Sequence, residues 1–252
     1  MSCLEYAPIS FADLRDGCDY YERRPHYTRT LQDFRTYIRE QVEGGESAGG
    51  LDLSLLEPRQ KLVDWLNSWG CMLPKTDRVW RCRTLGEIEK WWLRWHTTLP
   101  TVSLGSFDEL ASWVAAVHET PALLRYPDQR PERVAHAMDA YGDLGKRNVR
   151  PGAFGYVGAS KTLFLLRPNL FVAWDGKMMA KYGYRQGLPF QYMFFLDEVR
   201  TMLGDVASLC VLTHSSLADL PKDLGRKHAH CTLPEVLNKY LFARAHGYRP
   251  AE

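Results

Sequence analysis

The chain has 252 residues, of which 45% are hydrophobic and 25% charged, with a formal net charge of +2. This is the composition of a globular protein. No apolar run approaches the roughly 18 residues of a membrane span, and the start MSCLEYAPISFADLRDG lacks the basic and apolar regions of a secretory signal. We therefore expect a cytoplasmic protein, with no membrane partner, that forms one large domain or two lobes.

Residues 1–50 are predicted to form an N-terminal arm with one helix. Apolar residues recur at helical spacing in residues 28–42, and the glycine-rich residues 44–50 follow as a linker. Residues 51–252 then form the predicted core, because apolar stripes at helical spacing continue almost throughout it.

Helix starts are indicated by three hydroxyl-x-x-Glu patterns, which are typical of capping boxes. They are Thr84 with Glu87, Ser106 with Glu109, and Thr232 with Glu235. No strand-turn-strand alternation accompanies them, so the predicted fold class is all-α.

Tryptophans are concentrated in the first half of the chain, at Trp65, Trp69, Trp91, Trp92 and Trp95. Indole rings at helical spacing favour a buried core. The alternative is a pocket in which some of these rings stack on a base extruded from DNA.

Positive charge is concentrated in residues 144–185, which contain eight basic side chains and one acidic one, Asp175, for a local net charge of +7. The whole chain carries only +2, so this concentration indicates a polyanionic partner. Within the segment, Gly155 and Gly158 predict a tight turn that leads into an apolar helix, and an exposed helix start suits a phosphate. Pro168 ends that helix, and an apolar stretch then places Asp175 at the start of another.

The sequence Gly155-Tyr-Val-Gly158-Ala-Ser-Lys161-Thr162, followed by an apolar helix, a proline and an aspartate that opens a helix, resembles the helix-hairpin-helix DNA glycosylase superfamily. The resemblance implies a two-lobed all-α fold with the hairpin near residues 152–161. It also implies that the hairpin binds a DNA phosphate and that Asp175 is catalytic. The predicted nucleic-acid contacts are Lys146, Arg147, Arg150, Gly155, Val157, Gly158, Ser160, Lys177 and Lys181.

Lys161 is the second predicted catalytic residue, with three alternatives open. It is a Schiff-base nucleophile, a phosphate contact or a surface charge. Only fourteen residues separate it from Asp175, which is shorter than the family's usual spacing, and this favours the phosphate contact. The iron–sulfur branch of the family is excluded, because only Cys210 and Cys231 follow Asp175.

Asp175 suits the chemistry of base release. Cleavage of a base–sugar bond develops positive charge on the sugar, and a nearby carboxylate stabilises that charge and orients or deprotonates an attacking water. The alternative is an ordinary helix N-cap, a position at which aspartate is preferred.

No cofactor and no metal are expected. The six cysteines form no close pairs, so buried or unreactive thiols are the simplest interpretation. His228, His230 and Cys231, with His214 upstream, match no common zinc spacing and favour a basic surface.

The sequence therefore predicts a monomeric, monofunctional glycosylase that flips a modified base out of double-stranded DNA and leaves an abasic site. Two alternatives remain: a non-catalytic helix-hairpin-helix DNA-binding module, and a helical domain that binds an acidic protein. The resemblance suggests either base repair or an antiphage role, in which glucosylated hydroxymethylcytosine is removed from phage DNA.

Overall fold

The structure is a computed structural model, and it describes residues 9–43, 51–71, 77–97, 132–147, 155–166, 171–184, 187–213, 216 and 219–250. Within these ranges every regular element is helical and no strand occurs, which confirms the all-α prediction. The helices of these ranges are numbered here in chain order: α1 Phe11–Glu22, α2 Pro25–Glu43, α3 Leu56–Ser68, α4 Arg78–Trp95, α5 Glu132–Lys146, α6 Gly155–Leu166, α7 Gly176–Lys181, α8 Pro189–Leu212, α9 Leu220–Asp223 and α10 Leu233–Ala245. Among them, none combines the length and the apolar composition that spanning a bilayer requires.

The chain divides into two compact units, each made from separate stretches of sequence. Unit 1 comprises Met1–Arg23, Leu104–Arg130 and Arg167–Glu252, and unit 2 comprises Arg24–Ser103 and Pro131–Leu166. The described helices of unit 1 are thus α1 and α7 to α10, and those of unit 2 are α2 to α6.

This division differs from the predicted arm and core. Residues 9–43, the described part of the predicted arm, contain two helices rather than one, and the two helices belong to different units. The additional helix, α1, begins where the Ser10 hydroxyl accepts a hydrogen bond from the Asp13 amide, and it buries Leu14, Cys18 and Tyr21. Because α1 packs against α10, its apolar side is covered within unit 1.

The core of unit 2 is rich in tryptophan. Trp65, Trp69, Trp91 and Trp92 are all at most 8% exposed, which confirms that these rings belong to the core. Three of these rings also use their polar edge: Nε1 of Trp91 donates to the carbonyl oxygen of Ala140 at 2.8 Å, and Nε1 of Trp69 and of Trp92 donate to Thr30 and Asp52. A pocket that stacks on an extruded base cannot use rings that are this deeply buried.

Helices α5 and α6 approach closely because a glycine faces an aromatic ring. A Cβ atom added at Gly145 would lie 2.2 Å from the Tyr156 ring. Tyr156 in turn stacks on Tyr141, with the ring centroids 5.5 Å apart. The predicted turn at Gly155 to Gly158 is the first turn of α6 itself, and Gly155 has a φ of +55°, which favours glycine.

The capping predictions have three different outcomes. The capping box of Thr232 and Glu235 is confirmed at the start of α10. The box at Thr84 is wrong, because α4 begins after Asp77 and the Thr84 hydroxyl donates to the Trp80 carbonyl inside that helix. Ser106 lies outside the described residues.

Candidate functional site

Asp175 lies in unit 1, at the point where a buried segment of the chain reaches the surface. The four preceding residues, 171–174, are all buried. Asp175 is the N-cap of α7, and its Oδ1 accepts a hydrogen bond of 2.8 Å from the Met178 amide. Its side chain is 22% exposed, so the carboxylate is fixed by the backbone and still reaches solvent.

A histidine fixes the other oxygen of the same carboxylate. Nε2 of His246, at the C-terminal end of α10, lies 2.7 Å from Oδ2 of Asp175. The imidazole stacks on Phe242 at a centroid distance of 3.8 Å, and the His246 carbonyl accepts a hydrogen bond from the Tyr20 hydroxyl. Three elements therefore determine where this imidazole lies: α1, α10 and the start of α7.

The His246 contact was not predicted from the sequence. His246 is 71 residues from Asp175 and matches no motif with it. Its one local indication is the four-residue spacing from Phe242, which places both rings on the same side of α10.

Two exposed lysines follow Asp175 on α7. Lys177 and Lys181 are both exposed, and the Tyr182 hydroxyl anchors the end of the helix by donating to the Leu241 carbonyl on α10. The carboxylate thus begins a six-residue helix that also carries two exposed lysines, a combination suited to a sugar flanked by phosphates.

Lys161 does not lie on the surface. It is 6% exposed in unit 2, and its ammonium group donates a hydrogen bond to the carbonyl oxygen of Trp69, the C-cap of α3. A cation at this position compensates the negative end of the α3 dipole. The ammonium group is therefore committed to the packing of α6 on α3, and it is oriented away from any surface partner.

The remaining predicted DNA contacts differ in exposure. Lys146 is exposed, whereas the Arg147 side chain is 15% exposed and forms ion pairs of 2.8 Å with Glu87 and 2.9 Å with Asp143. The bonds from Lys90 and Arg147 lower the pKa of Glu87 despite its partial burial. Burial alone would raise the pKa of Asp143, but hydrogen bonds from Trp95 and Arg147 lower it.

The predicted turn at Gly155 to Gly158 lies within the first turn of α6 and is only partly accessible. Gly155 and Val157 are partly exposed, whereas Gly158 and Ser160 are buried. The Ser160 hydroxyl donates to the Val157 carbonyl. Arg150 lies outside the described residues. Of the five basic residues in 144–185 that the structure describes, Lys146, Lys177 and Lys181 are exposed, whereas Arg147 is partly buried and Lys161 is buried.

The histidines and the cysteine that the sequence offered as a possible metal site do not point to one common position. His228 is buried and pairs with Asp19, His230 is exposed, and the Cys231 sulfur contacts Lys239. Across the described ranges, no group of three or more His, Cys, Asp or Glu side chains is arranged to hold a metal ion. His214 lies outside those ranges.

The arrangement of Asp175, His246 and the two lysines defines the candidate site by its own geometry. No protein-family model, curated protein or solved structure matches this chain. Functional inference therefore depends on the residues themselves.

Proposed function

We propose that the protein is a DNA N-glycosylase that flips a modified base out of duplex DNA and hydrolyses its bond to the sugar. Its fold would be that of the two-lobed helix-hairpin-helix glycosylases. The protein would act on DNA as a monomer in the cytoplasm. The observation that carries the proposal is the Asp175 carboxylate, which is fixed through both oxygens, remains 22% exposed, and begins a helix with two exposed lysines.

A carboxylate has about four lone-pair positions, of which the Met178 amide and the His246 imidazole occupy two. The remaining positions are available to a substrate sugar and to a water. As the base departs, positive charge develops on the sugar, and a fixed negative group stabilises it without reorganising. The same group orients the attacking water and accepts its proton.

His246 is the positioning residue in this proposal. Its Nε2–H bond to Oδ2 sets the rotation of the carboxylate. The Phe242 ring stacks on the imidazole, and the Tyr20 hydroxyl fixes the backbone carbonyl of His246. Lys177 and Lys181 would contact phosphates beside the target nucleotide. Lys161 has no catalytic role in this proposal, because its ammonium group is buried against Trp69. The enzyme would thus be monofunctional and leave an abasic site.

The substrate would be a damaged base in a repair role or a hypermodified cytosine in phage DNA. A panel of duplexes carrying oxidised, alkylated and glucosylated bases, with released base measured by mass spectrometry, identifies it. On that substrate, Asp175→Asn should abolish base release while DNA binding persists or tightens, because one repulsive charge near the phosphates has been removed.

Asp77→Asn is the matched control. Asp77 caps α4 by accepting a hydrogen bond from the Trp80 amide, so it shares the capping geometry of Asp175 without the histidine. Asparagine caps about as well as aspartate, and this variant should keep full activity. Full base release by Asp175→Asn protein would reject the catalytic assignment.

A non-catalytic DNA-binding module is the second candidate, and one observation favours it. Both Asp175 oxygens accept hydrogen bonds from the protein. A purely structural role, in which Asp175 links α7 to α10, accounts for these two bonds without catalysis. In that case the wild-type protein binds DNA but releases no base from any duplex of the panel.

A further inference from the structure

A buried lysine in unit 1 contacts a cysteine sulfur. Lys239 of α10 is 2% exposed, and its Nζ lies 3.0 Å from Sγ of Cys231. The same ammonium group donates to Oε1 of Glu22 at 2.6 Å and lies 3.9 Å from Oε1 of Glu235. A thiol, an amine nitrogen and two carboxylates therefore share one largely dehydrated cluster.

His228 adds an unpartnered nitrogen to this cluster. The side chain is 1% exposed, its Nε2 lies 3.3 Å from Oδ1 of Asp19, and its Nδ1 has no hydrogen-bond partner. Nδ1 faces Oε1 of Glu22 at 4.0 Å. Burial, and then the charge of Lys239, lower the pKa of His228. Its Nε2 faces a carboxylate oxygen, which can only accept, so Nε2 carries a proton. In the neutral imidazole Nδ1 is then an acceptor that faces the carboxylate bound to Lys239.

We propose that Cys231 and Lys239 form an oxidation-driven sulfur–nitrogen cross-link, with hydrogen peroxide as the oxidant. Nothing in the proposed glycosylase chemistry requires this step. An ammonium donor beside the sulfur stabilises the thiolate, which is the form that reacts with peroxide. The amine is already within contact distance of the sulfur, so the second step needs no rearrangement of α10.

The first step converts the thiol to a sulfenic acid. The Cys231 sulfur attacks one peroxide oxygen, an S–O bond forms and the O–O bond breaks. The departing hydroxide takes up the proton that the thiol released when it ionised, and it leaves as water. Sulfur is oxidised by two electrons and the peroxide is reduced by two.

The second step joins sulfur to nitrogen without further change in oxidation state. Lys239 transfers one ammonium proton to the Glu22 carboxylate, and its freed lone pair attacks the Cys231 sulfur. The S–N bond forms, the S–O bond breaks, and the departing hydroxide takes a second proton from nitrogen to leave as water. Glu22 is placed for the first transfer by its 2.6 Å contact, and the lone pair of His228 faces the oxygen that becomes protonated.

Peptide mapping of the full chain tests the proposal directly. Native protein is treated with hydrogen peroxide, free thiols are alkylated, and the protein is digested with trypsin without reduction. Unmodified protein is cleaved after Lys239 and yields peptide 228–239, in which Cys231 is the one cysteine. Cross-linked protein resists cleavage there and yields peptide 228–244 with a mass lower by two hydrogen atoms. A thiol reductant added before digestion restores cleavage after Lys239.

The chain supplies its own controls. Cys82 is an exposed thiol, and its oxidation shows that the peroxide dose was effective. Cys18, whose pKa is raised by burial, donates its thiol hydrogen to the Val236 carbonyl, and Cys18→Ser should leave the cross-link unchanged. In Lys239→Arg the charge opposite Glu22 is kept but the amine is lost, so Cys231 should proceed to sulfinic acid.

Three results would overturn the proposal. One is a free Cys231 thiol at a dose that oxidises Cys82 completely. Another is Cys231 sulfinic acid in wild-type protein with normal cleavage after Lys239. The third is a disulfide between Cys231 and Cys18, recovered as two joined peptides.

Discussion

Nε2 of His246 lies 2.7 Å from Oδ2 of Asp175, which links the C-terminal end of α10 to the residue that begins α7. This contact distinguishes Asp175 from an ordinary N-cap such as Asp77, whose carboxylate accepts from the helix it caps. It also makes the orientation of the proposed catalytic group depend on a side chain 71 residues away.

The first prediction is that Asp175 and His246 are energetically coupled. In a double-mutant cycle with Asp175→Asn and His246→Ala, the coupling free energy of unfolding should be about 0.5–3 kcal/mol, since the two side chains share a direct hydrogen bond. Urea unfolding of the two single variants and the double variant measures it. The pair Asp77→Asn and His246→Ala serves as control, and it should be additive. Additivity for Asp175 and His246 as well would contradict the positioning role.

The second prediction separates the lysines by their burial. Lys161→Met should lower the free energy of unfolding by about 1–3 kcal/mol, because the Trp69 carbonyl loses its partner. Its effect on DNA affinity should be small. In contrast, Lys177→Gln with Lys181→Gln should leave stability unchanged and reduce the slope of log affinity against log salt by about 2.

Fluorescence anisotropy with a labelled duplex, repeated over a salt series, makes this comparison. If Lys161→Met lowers DNA affinity as much as the double variant and unfolds at the wild-type urea concentration, the buried placement of Lys161 does not describe the protein in solution.

The fate of the basic segment shows what a sequence can predict here and what it cannot. Counting charges in residues 144–185 treats Lys161 and Arg147 as surface cations. Trp69, the partner of Lys161, is 92 residues away, and Glu87, one of the two partners of Arg147, is 60 residues away. No local pattern encodes these two pairings. Asp175 was predictable as the start of a helix because capping is local, whereas its bond to His246 depends on how α7 and α10 pack.

Helix starts show the same limit at shorter range. Thr232 and Glu235 form the predicted box, but the identical pattern at Thr84 lies inside α4. A threonine hydroxyl can also donate to the carbonyl four residues earlier within a helix, as Thr84 does to Trp80. The pattern alone does not distinguish these two uses of a hydroxyl.

The third prediction concerns the close packing of α5 on α6. Gly145→Ala should destabilise the protein by about 1–3 kcal/mol, because the new methyl group would overlap the Tyr156 ring. Gly86→Ala is the matched control in α4, where a Cβ meets nothing within 4 Å. There, replacing glycine in a helix should stabilise by up to about 1 kcal/mol. Equal effects of the two substitutions in urea unfolding would argue against the ring contact.

The fourth prediction is a pH dependence to which Arg147 contributes, alongside Lys90 at Glu87 and Trp95 at Asp143. The pKa values of Glu87 and Asp143 are lowered from 4.5 and 3.8 in the folded protein. The stability that this contributes is complete above the unfolded values and is lost as the pH falls through the folded ones. Arg147→Met should therefore lower stability near neutral pH by about 1–3 kcal/mol and should lose less on acidification than wild type does.

Thermal unfolding between about pH 6 and about pH 3 measures this difference. Arg78→Met removes an exposed charge on α4 and serves as control, with an acid dependence close to that of wild type. A parallel pH dependence of wild type and Arg147→Met would show that these ion pairs do not form in solution.

The packing of α1 on α10 has a consequence for the growing polypeptide. The Cys18 thiol meets the Val236 carbonyl across 218 residues of sequence, so the apolar side of α1 leaves the ribosome long before the helix that covers it. At a synthesis rate of about 5–20 residues per second, roughly ten to forty seconds separate the synthesis of Leu14, Cys18 and Tyr21 from that of α10. The five described helices of unit 2 are all translated within that interval. Unit 2 can therefore form first during translation, whereas the apolar side of α1 lacks its native cover until the last helix of unit 1 is made.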